Sequence, residues 1–257
     1  MSDSRFYTPV ATHNPRRFLL PVANDLLVGP AERQFMMGGV GLGSAIHALE
    51  TATGRPLIWA TAQYLSFAPP GATVDIDVHI PVTGKTVTQA RVVSHVGERE
   101  ILTVNAALGS RPDQAGRQHV PMPEVPPPDA CPVHEPHFVA EDDLHTRLER
   151  RDVVDTTTDH DGHARVWIRT LEDEPITAGL LAIFADFLPG SIPVTRGSSS
   201  LDNTLRICRL VPARWCLIDS RVQGMASGFF HGELSLFAED GTLLATASQS
   251  GALPKRR

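Results

Sequence analysis

Cysteine is scarce in this chain: Cys131, Cys208 and Cys216 are the only three among 257 residues. An odd number without metal-type spacing implies neither a disulfide framework nor a thiolate metal site. Basic residues are outnumbered, 23 Lys and Arg against 29 Asp and Glu, for a formal net charge of −6. That balance argues against a nucleic-acid partner, whose surface calls for clustered Lys and Arg. The basic end Lys255-Arg256-Arg257 reads as solvated. Long apolar runs are missing as well. The longest, 176–192, is broken by Asp186 and Pro189 and is too short to span a bilayer. Met1-Ser2-Asp3-Ser4-Arg5 has no apolar leader core. The expectation is a cytoplasmic protein with no membrane partner and one large core or two joined ones.

What the chain does have is an internal echo. Residues 36–109 laid over 178–251, an offset of 142, keep one apolar rhythm without a gap: Val74 meets Cys216, Ile76 meets Ile218, Val92 meets Leu234 and Leu102 meets Leu244. Pro70 meets Pro212, Asp77 meets Asp219 and Gly109 meets Gly251. A period of that length is a domain-sized unit, far longer than a solenoid repeat. The mismatches are the informative pairs. Ser44 falls opposite Asp186, Ile58 opposite Ser200 and Ala107 opposite Gln249. The first copy reads as scaffold and the second as the bearer of polar chemistry.

Each copy reads as one helix followed by antiparallel strands. Residues 34–53 carry Phe35, Leu42, Ile46 and Leu49 at helical spacing, with Gly54 and Pro56 as a stop. The glycines at 38, 39, 41 and 43 each cost a helix about 1 kcal/mol relative to alanine, so close approach of a ligand or another backbone is expected there. Period-two alternation predicts strands over 73–80, 86–96, 100–108, 164–169, 201–209, 215–222, 229–238 and 242–249, with a hairpin turn at Glu239-Asp240-Gly241. A second helix over 177–188 is apolar all round and must be buried; an antiparallel sheet wrapped around it does this most simply. Eight prolines between 111 and 136 make a regular element there implausible. The division is therefore an N-terminal unit over 1–110, a Pro-rich linker over 111–136 and a C-terminal unit over 137–257.

Asp186 is the leading candidate for chemistry. A carboxylate at the end of a buried helix needs hydrogen bonds, and burial raises its pKa toward a range useful for accepting a proton; backbone amides near Pro189-Gly190 are the bland alternative. Gln249, ending the last strand, can hold a water by donating and accepting without charge. Ser200 opens a strand after Gly197-Ser198-Ser199, and Thr204 is a fallback hydroxyl on that strand. No cofactor or metal is expected. Gly39-Val40-Gly41-Leu42-Gly43 lacks the leading strand of a dinucleotide site, His160-Asp161-Gly162-His163 reads first as a turn, and Cys208 and Cys216, placed on strands, read as buried thiols.

These residues resemble the acyl-CoA thioesterase II family, over roughly 35–109 and 177–253. The resemblance is carried by Gly38-Gly39-Val40-Gly41-Leu42-Gly43-Ser44-Ala45, by Tyr64-Leu65-Ser66-Phe67-Ala68-Pro69-Pro70-Gly71, by Ala185-Asp186-Phe187-Leu188, by Ser200-Leu201-Asp202-Asn203-Thr204-Leu205, and most specifically by the run from Asp240 through Thr242, Thr246 and Gln249 to Gly251. It implies an α+β double hotdog: two tandem units, each an antiparallel sheet around a central helix. It implies hydrolysis of an acyl-CoA to a fatty acid and coenzyme A. Asp186, Ser200 and Gln249 would act on the attacking water, and a helix-start amide at Gly38 or Gly39, with Thr204, would contact the substrate. It also implies a homo-oligomer paired through sheet edges. The chain departs from the family pattern at Val40, at Val82-Thr83-Gly84, and at Ser227 and His231, where basic residues are usual in that segment. The alternatives are a non-catalytic acyl-CoA or acyl-ligand binder on the same scaffold and a hydratase, for which a His near these positions is expected and none is seen.

Overall fold

The structure is a computed structural model that describes residues 5–111, 114–135, 142–154 and 162–255. The first half runs β1 (Val10–Ala11), β2 (Arg17–Pro21), β3 (Leu27–Val28), β4 (Phe35–Met36), α1 (Gly38–Thr53), β5 (Leu57–Tyr64), β6 (Thr73–Thr83), β7 (Val87–Val96) and β8 (Arg99–Gly109). The second half runs β9 (Leu148–Asp152), β10 (His163–Thr170), α2 (Ala178–Ala185), α3 (Leu188–Ser191), β11 (Ser199–Ile207), β12 (Cys216–Ala226), β13 (Phe229–Ala238) and β14 (Leu243–Ala252).

Twelve of these strands form one antiparallel sheet, in the order β1-β2-β6-β7-β8-β5-β11-β14-β13-β12-β10-β9. From the central β5–β11 pair outward, β8, β7 and β6 on one side match β14, β13 and β12 on the other. The two halves thus join edge to edge, with Leu205 beside Ala60 and Asn203 beside Ala62. A large antiparallel sheet with few helices is the hotdog pattern. One face of the sheet covers α1 and α2, which pack on each other. Every residue of α2 is buried, and a single apolar cluster runs through both halves. No helix among the described residues is long and apolar enough to cross a membrane.

The alternation that predicts the strands is the alternation that fills this core: Val74, Ile76 and Val78 point inward from β6 while their neighbours do not. Three corrections follow from packing. Helix α1 begins at Gly38, because Phe35 and Met36 are drawn into a small ladder with β3. Helix α2 stops at Ala185, where Asp186 caps it, and the chain turns into α3. Strands β2, β5 and β9 carry no strong alternation and are held by their neighbours. Among its described residues the proline-rich stretch adds to the main sheet only an isolated bridge from Val133 to Arg151 of β9, yet it is more than a tether. Trp167 Nε1 donates to the Pro126 carbonyl at 3.0 Å, and Cys131 joins Trp167, Trp215, Leu217, Phe237 and Leu243 in a second apolar cluster. Cys216 is buried as expected, whereas Cys208, one residue past the end of β11, is exposed.

The echo is real in three dimensions but is not gapless. Matching bulges break the ladders between Leu57 and Trp59 in β5 and between Ser200 and Asp202 in β11. They put Ser200 opposite Leu57, one residue out of step with the sequence overlay. Ala60 pairs with Ala106 in the first half, where Asn203 pairs with Gln249 in the second. Gln249 therefore stands opposite Ala106 and not Ala107. At the positions of Ser200, Asn203 and Gln249 the first copy holds the apolar Leu57, Ala60 and Ala106.

Candidate active site

Asp186 is 8% exposed and caps α2, so its carboxylate must find donors outside its own helix. It finds one in the other half of the chain. Gly39 N–H, in the first turn of α1, donates to Asp186 Oδ2 at 2.6 Å. The amides near Pro189-Gly190 are not its partners. The first turn of a helix has unsatisfied amides and the positive end of the macrodipole, both favourable to a carboxylate. The contact requires glycine: a Cβ at Gly39 would stand 2.7 Å from Asp186 Cβ and 3.0 Å from the Ala182 carbonyl. The same logic holds one turn on, where a Cβ at Gly43 would stand 2.7 Å from the Gly179 carbonyl. The glycine-rich start of α1 thus serves close approach of another backbone.

Two further donors come from the strands. Gln249 Nε2 lies 2.5 Å from Asp186 Oδ1 and 2.9 Å from Ser200 Oγ, and Ser200 Oγ lies 3.5 Å from Asp186 Oδ1. The structure thus brings Asp186, Ser200 and Gln249 into one cluster. Thr204 does not join it. The bulge after Ser200 inverts the alternation of β11, so Thr204 points to the opposite face and bonds Thr61 of β5 at 3.0 Å. Asn203 takes the inward place. Fully buried between Ala62 and Gln249, it is the residue missed by reading the strand as uninterrupted.

Burial pushes the Asp186 carboxyl up to about 6, against the hydrogen bonds from Gly39, Gln249 and Ser200 and the nearby Asn203 amide, which pull it down. Tyr64, at the end of β5, is held well above its ordinary range by burial and by the Asp186 charge. The Asn203 amide is near enough to influence both groups, yet among the described residues neither of its atoms, nor the Tyr64 hydroxyl, nor Gln249 Oε1 has a partner in hydrogen-bond geometry. The Gly39 amide is committed to Asp186, while Gly38, first in α1 and against the Tyr64 ring, has no acceptor for its own amide among the described residues.

The cluster opens into a cavity of about 670 Å³ lined by both halves, including Met37, Gly38, Tyr64, Phe67, Phe187 and Ser200. Two histidines also line it, His134 and His145, which sequence spacing did not bring near the motif. Each is engaged by its own carboxylate, His134 by Asp152 at 2.8 Å and His145 by Asp143 at 3.2 Å. The departures at Val40, Val82, Ser227 and His231 lie elsewhere: none lines the cavity, and His231 bonds Ser250 on the neighbouring strand. Of the His160-Asp161-Gly162-His163 run, His160 and Asp161 lie outside the described residues, and His163 is bonded to Asp219. The end of the basic tail, Arg256-Arg257, lies outside them too.

Residues 118–253 match the family model for the acyl-CoA thioesterase C-terminal domain. The chain belongs to the acyl-CoA thioesterase II family. A protein of Novosphingobium aromaticivorans assigned as a thioesterase is 33% identical, superposes with a TM-score of 0.92 and covers 96% of this chain and 99% of its own. The family member TesB2, an acyl-CoA thioesterase II of Mycobacterium marinum, superposes at 0.77 with 18% identity, covering 98% and 97%. A hot dog fold protein of unknown function from Alicyclobacillus acidocaldarius superposes at 0.83 with 19% identity, covering 100% and 99%. No curated protein matches the chain. The family match spans β9 through β14, the half that supplies Asp186, Ser200 and Gln249.

Proposed function

We propose that this chain is an acyl-CoA thioesterase that hydrolyses its substrate by direct attack of water, on a double hotdog of two tandem units with the catalytic polar groups in the second. The reading is carried by one observation: Asp186, Ser200 and Gln249 converge beside a cavity large enough for an acyl chain. Asp186, with its pKa near 6, is ionised at neutral pH yet basic enough to take a proton. Gln249 Oε1, without a partner among the described residues, suits one hydrogen of the attacking water, and the Ser200 hydroxyl fixes its oxygen. The water attacks the thioester carbonyl as its proton passes to Asp186. The tetrahedral intermediate then expels the thiolate, which takes that proton and leaves as the free thiol. Since Gly39 N–H is spent on Asp186, donors to the carbonyl oxygen are assigned to the Gly38 amide and the Tyr64 hydroxyl.

Purified protein incubated with a panel of acyl-CoA thioesters of graded chain length, with free thiol measured, tests the proposal. Thiol release is expected from at least one member, and Asp186→Asn is expected to lower kcat by about 10²–10⁴-fold, the usual worth of a general base. Stabilisation by acyl-CoA without thiol release would assign a binding protein on this scaffold instead.

A further inference from the structure

Arginines outnumber carboxylates around the cavity of a chain whose net charge is −6: Arg33, Arg150 and Arg196 line it, and Asp186 is the one carboxylate among the lining residues. Arg33 and Arg196 are exposed, but Arg150, on the edge strand β9, is only 8% exposed. Its neighbours are all paired. Arg151 and Arg169 each reach Glu149 at 2.6 Å, and Arg147 reaches Asp25 at 2.6 Å. The Arg150 guanidinium has no hydrogen bond or ion pair with any described side chain and lies 4.6 Å over the ring of Phe187. Asp152, whose field reaches it, is bonded to His134 and is 43% exposed. A guanidinium taken out of water without a counterion is costly, and its planar fork suits two oxygens of one carboxylate or phosphate. Arg150 and Asp186 line the same cavity, and Phe187, whose ring lies under the guanidinium, follows Asp186 in the chain.

We propose that Arg150 is the seat of an anionic oxygen group carried by the thioester substrate: a carboxylate on the acyl chain or a phosphate of coenzyme A. The proposal rests on the thioesterase reading, and its test keeps the two apart. Wild-type enzyme is compared on glutaryl-CoA against valeryl-CoA and adipoyl-CoA against hexanoyl-CoA, and on the 3′-dephospho form of the better neutral thioester. Preference for the carboxylated member by about tenfold or more in kcat/KM, lost in Arg150→Met and partly kept in Arg150→Lys, establishes an acyl carboxylate. An equal loss on dephosphorylation, not additive with Arg150→Met, establishes the phosphate. Equal rates within each pair, together with no effect of dephosphorylation, overturn the proposal, and that comparison needs no variant. If no thioester is hydrolysed at all, the thioesterase reading fails, and the anion site is read from thermal shift alone. Wild type is then expected to be stabilised by glutarate or by coenzyme A and Arg150→Met not to be; no shift with either overturns it.

Discussion

At pH 8 Asp186 is ionised inside a pocket that desolvates it, and its pKa near 6 measures how far the fold prefers it neutral. The sign follows directly. The folded pKa lies above the ordinary carboxyl value of 3.8, so the proton is held more tightly in the folded state. The stability this contributes is complete below the unfolded value and is lost as pH rises through about 6. Asp186→Asn should therefore stabilise the protein at pH 8 by as much as about 3 kcal/mol, since each tenfold gain in proton affinity on folding is worth about 1.4 kcal/mol. The gain should be about halved at pH 5 and vanish only below the unfolded value of 3.8, as denaturant titration at pH 8, 5 and 3 will show. A variant less stable at pH 8 would contradict it. Catalysis carries the opposite sign: kcat should rise with pH and level off above about 6, since only the ionised carboxylate accepts a proton. Asn203 belongs to the same scale. Asn203→Ala removes a buried amide that influences Asp186 and Tyr64, and a drop in kcat of about tenfold or more with little change in KM is the expected kinetic signature. In the sequence Asp186 stands out by breaking an apolar run, whereas Ser200, inside a serine run, and Gln249 stand out only against the overlay with the first copy. The sequence hides Asn203 behind Thr204, because one bulged residue, Leu201, turns the strand over and leaves no mark in composition.

Between elements, the decisive contact is α1 against α2. Gly43 and Gly179 face each other: a Cβ at Gly43 would stand 2.7 Å from the Gly179 carbonyl, and one at Gly179 would stand 3.0 Å from the Gly43 carbonyl. Gly43→Ala and Gly179→Ala are each expected to cost about 1–3 kcal/mol by overpacking. The double variant should cost less than their sum, because one separation of the helices relieves both clashes; strict additivity in denaturant unfolding would show that the contact is not shared. Helices and inward-facing strands are legible from periodicity here, because α2 is buried on every side and β6 on one. Strands β5 and β9 are not, because β5 lies at the joint between the halves and β9 at an edge, where partners and not alternation hold the backbone. Arg150 is hidden for the same reason: only the fold of β9 against Phe187 gives that arginine a meaning.

Across the whole molecule, one sheet and one apolar cluster run through both halves, although the sequence reads as two units. Splitting the chain in the proline-rich stretch would expose β5 and β11 as long unpaired edges, a template for aggregation. The intact chain should unfold in a single cooperative transition, with calorimetric and van't Hoff enthalpies equal, and the halves expressed apart should be insoluble. Two resolved calorimetric peaks would instead make the halves autonomous.

The apolar first copy has an arithmetic consequence. Where the second half holds Asn203 and Gln249, the first holds Ala60 and Ala106, so no twin reaction centre can form on the other side of the joint. A slow, tight inhibitor would extinguish turnover at one equivalent per polypeptide, and in any assembly of these chains half of the repeats would stay silent however saturated the solution became.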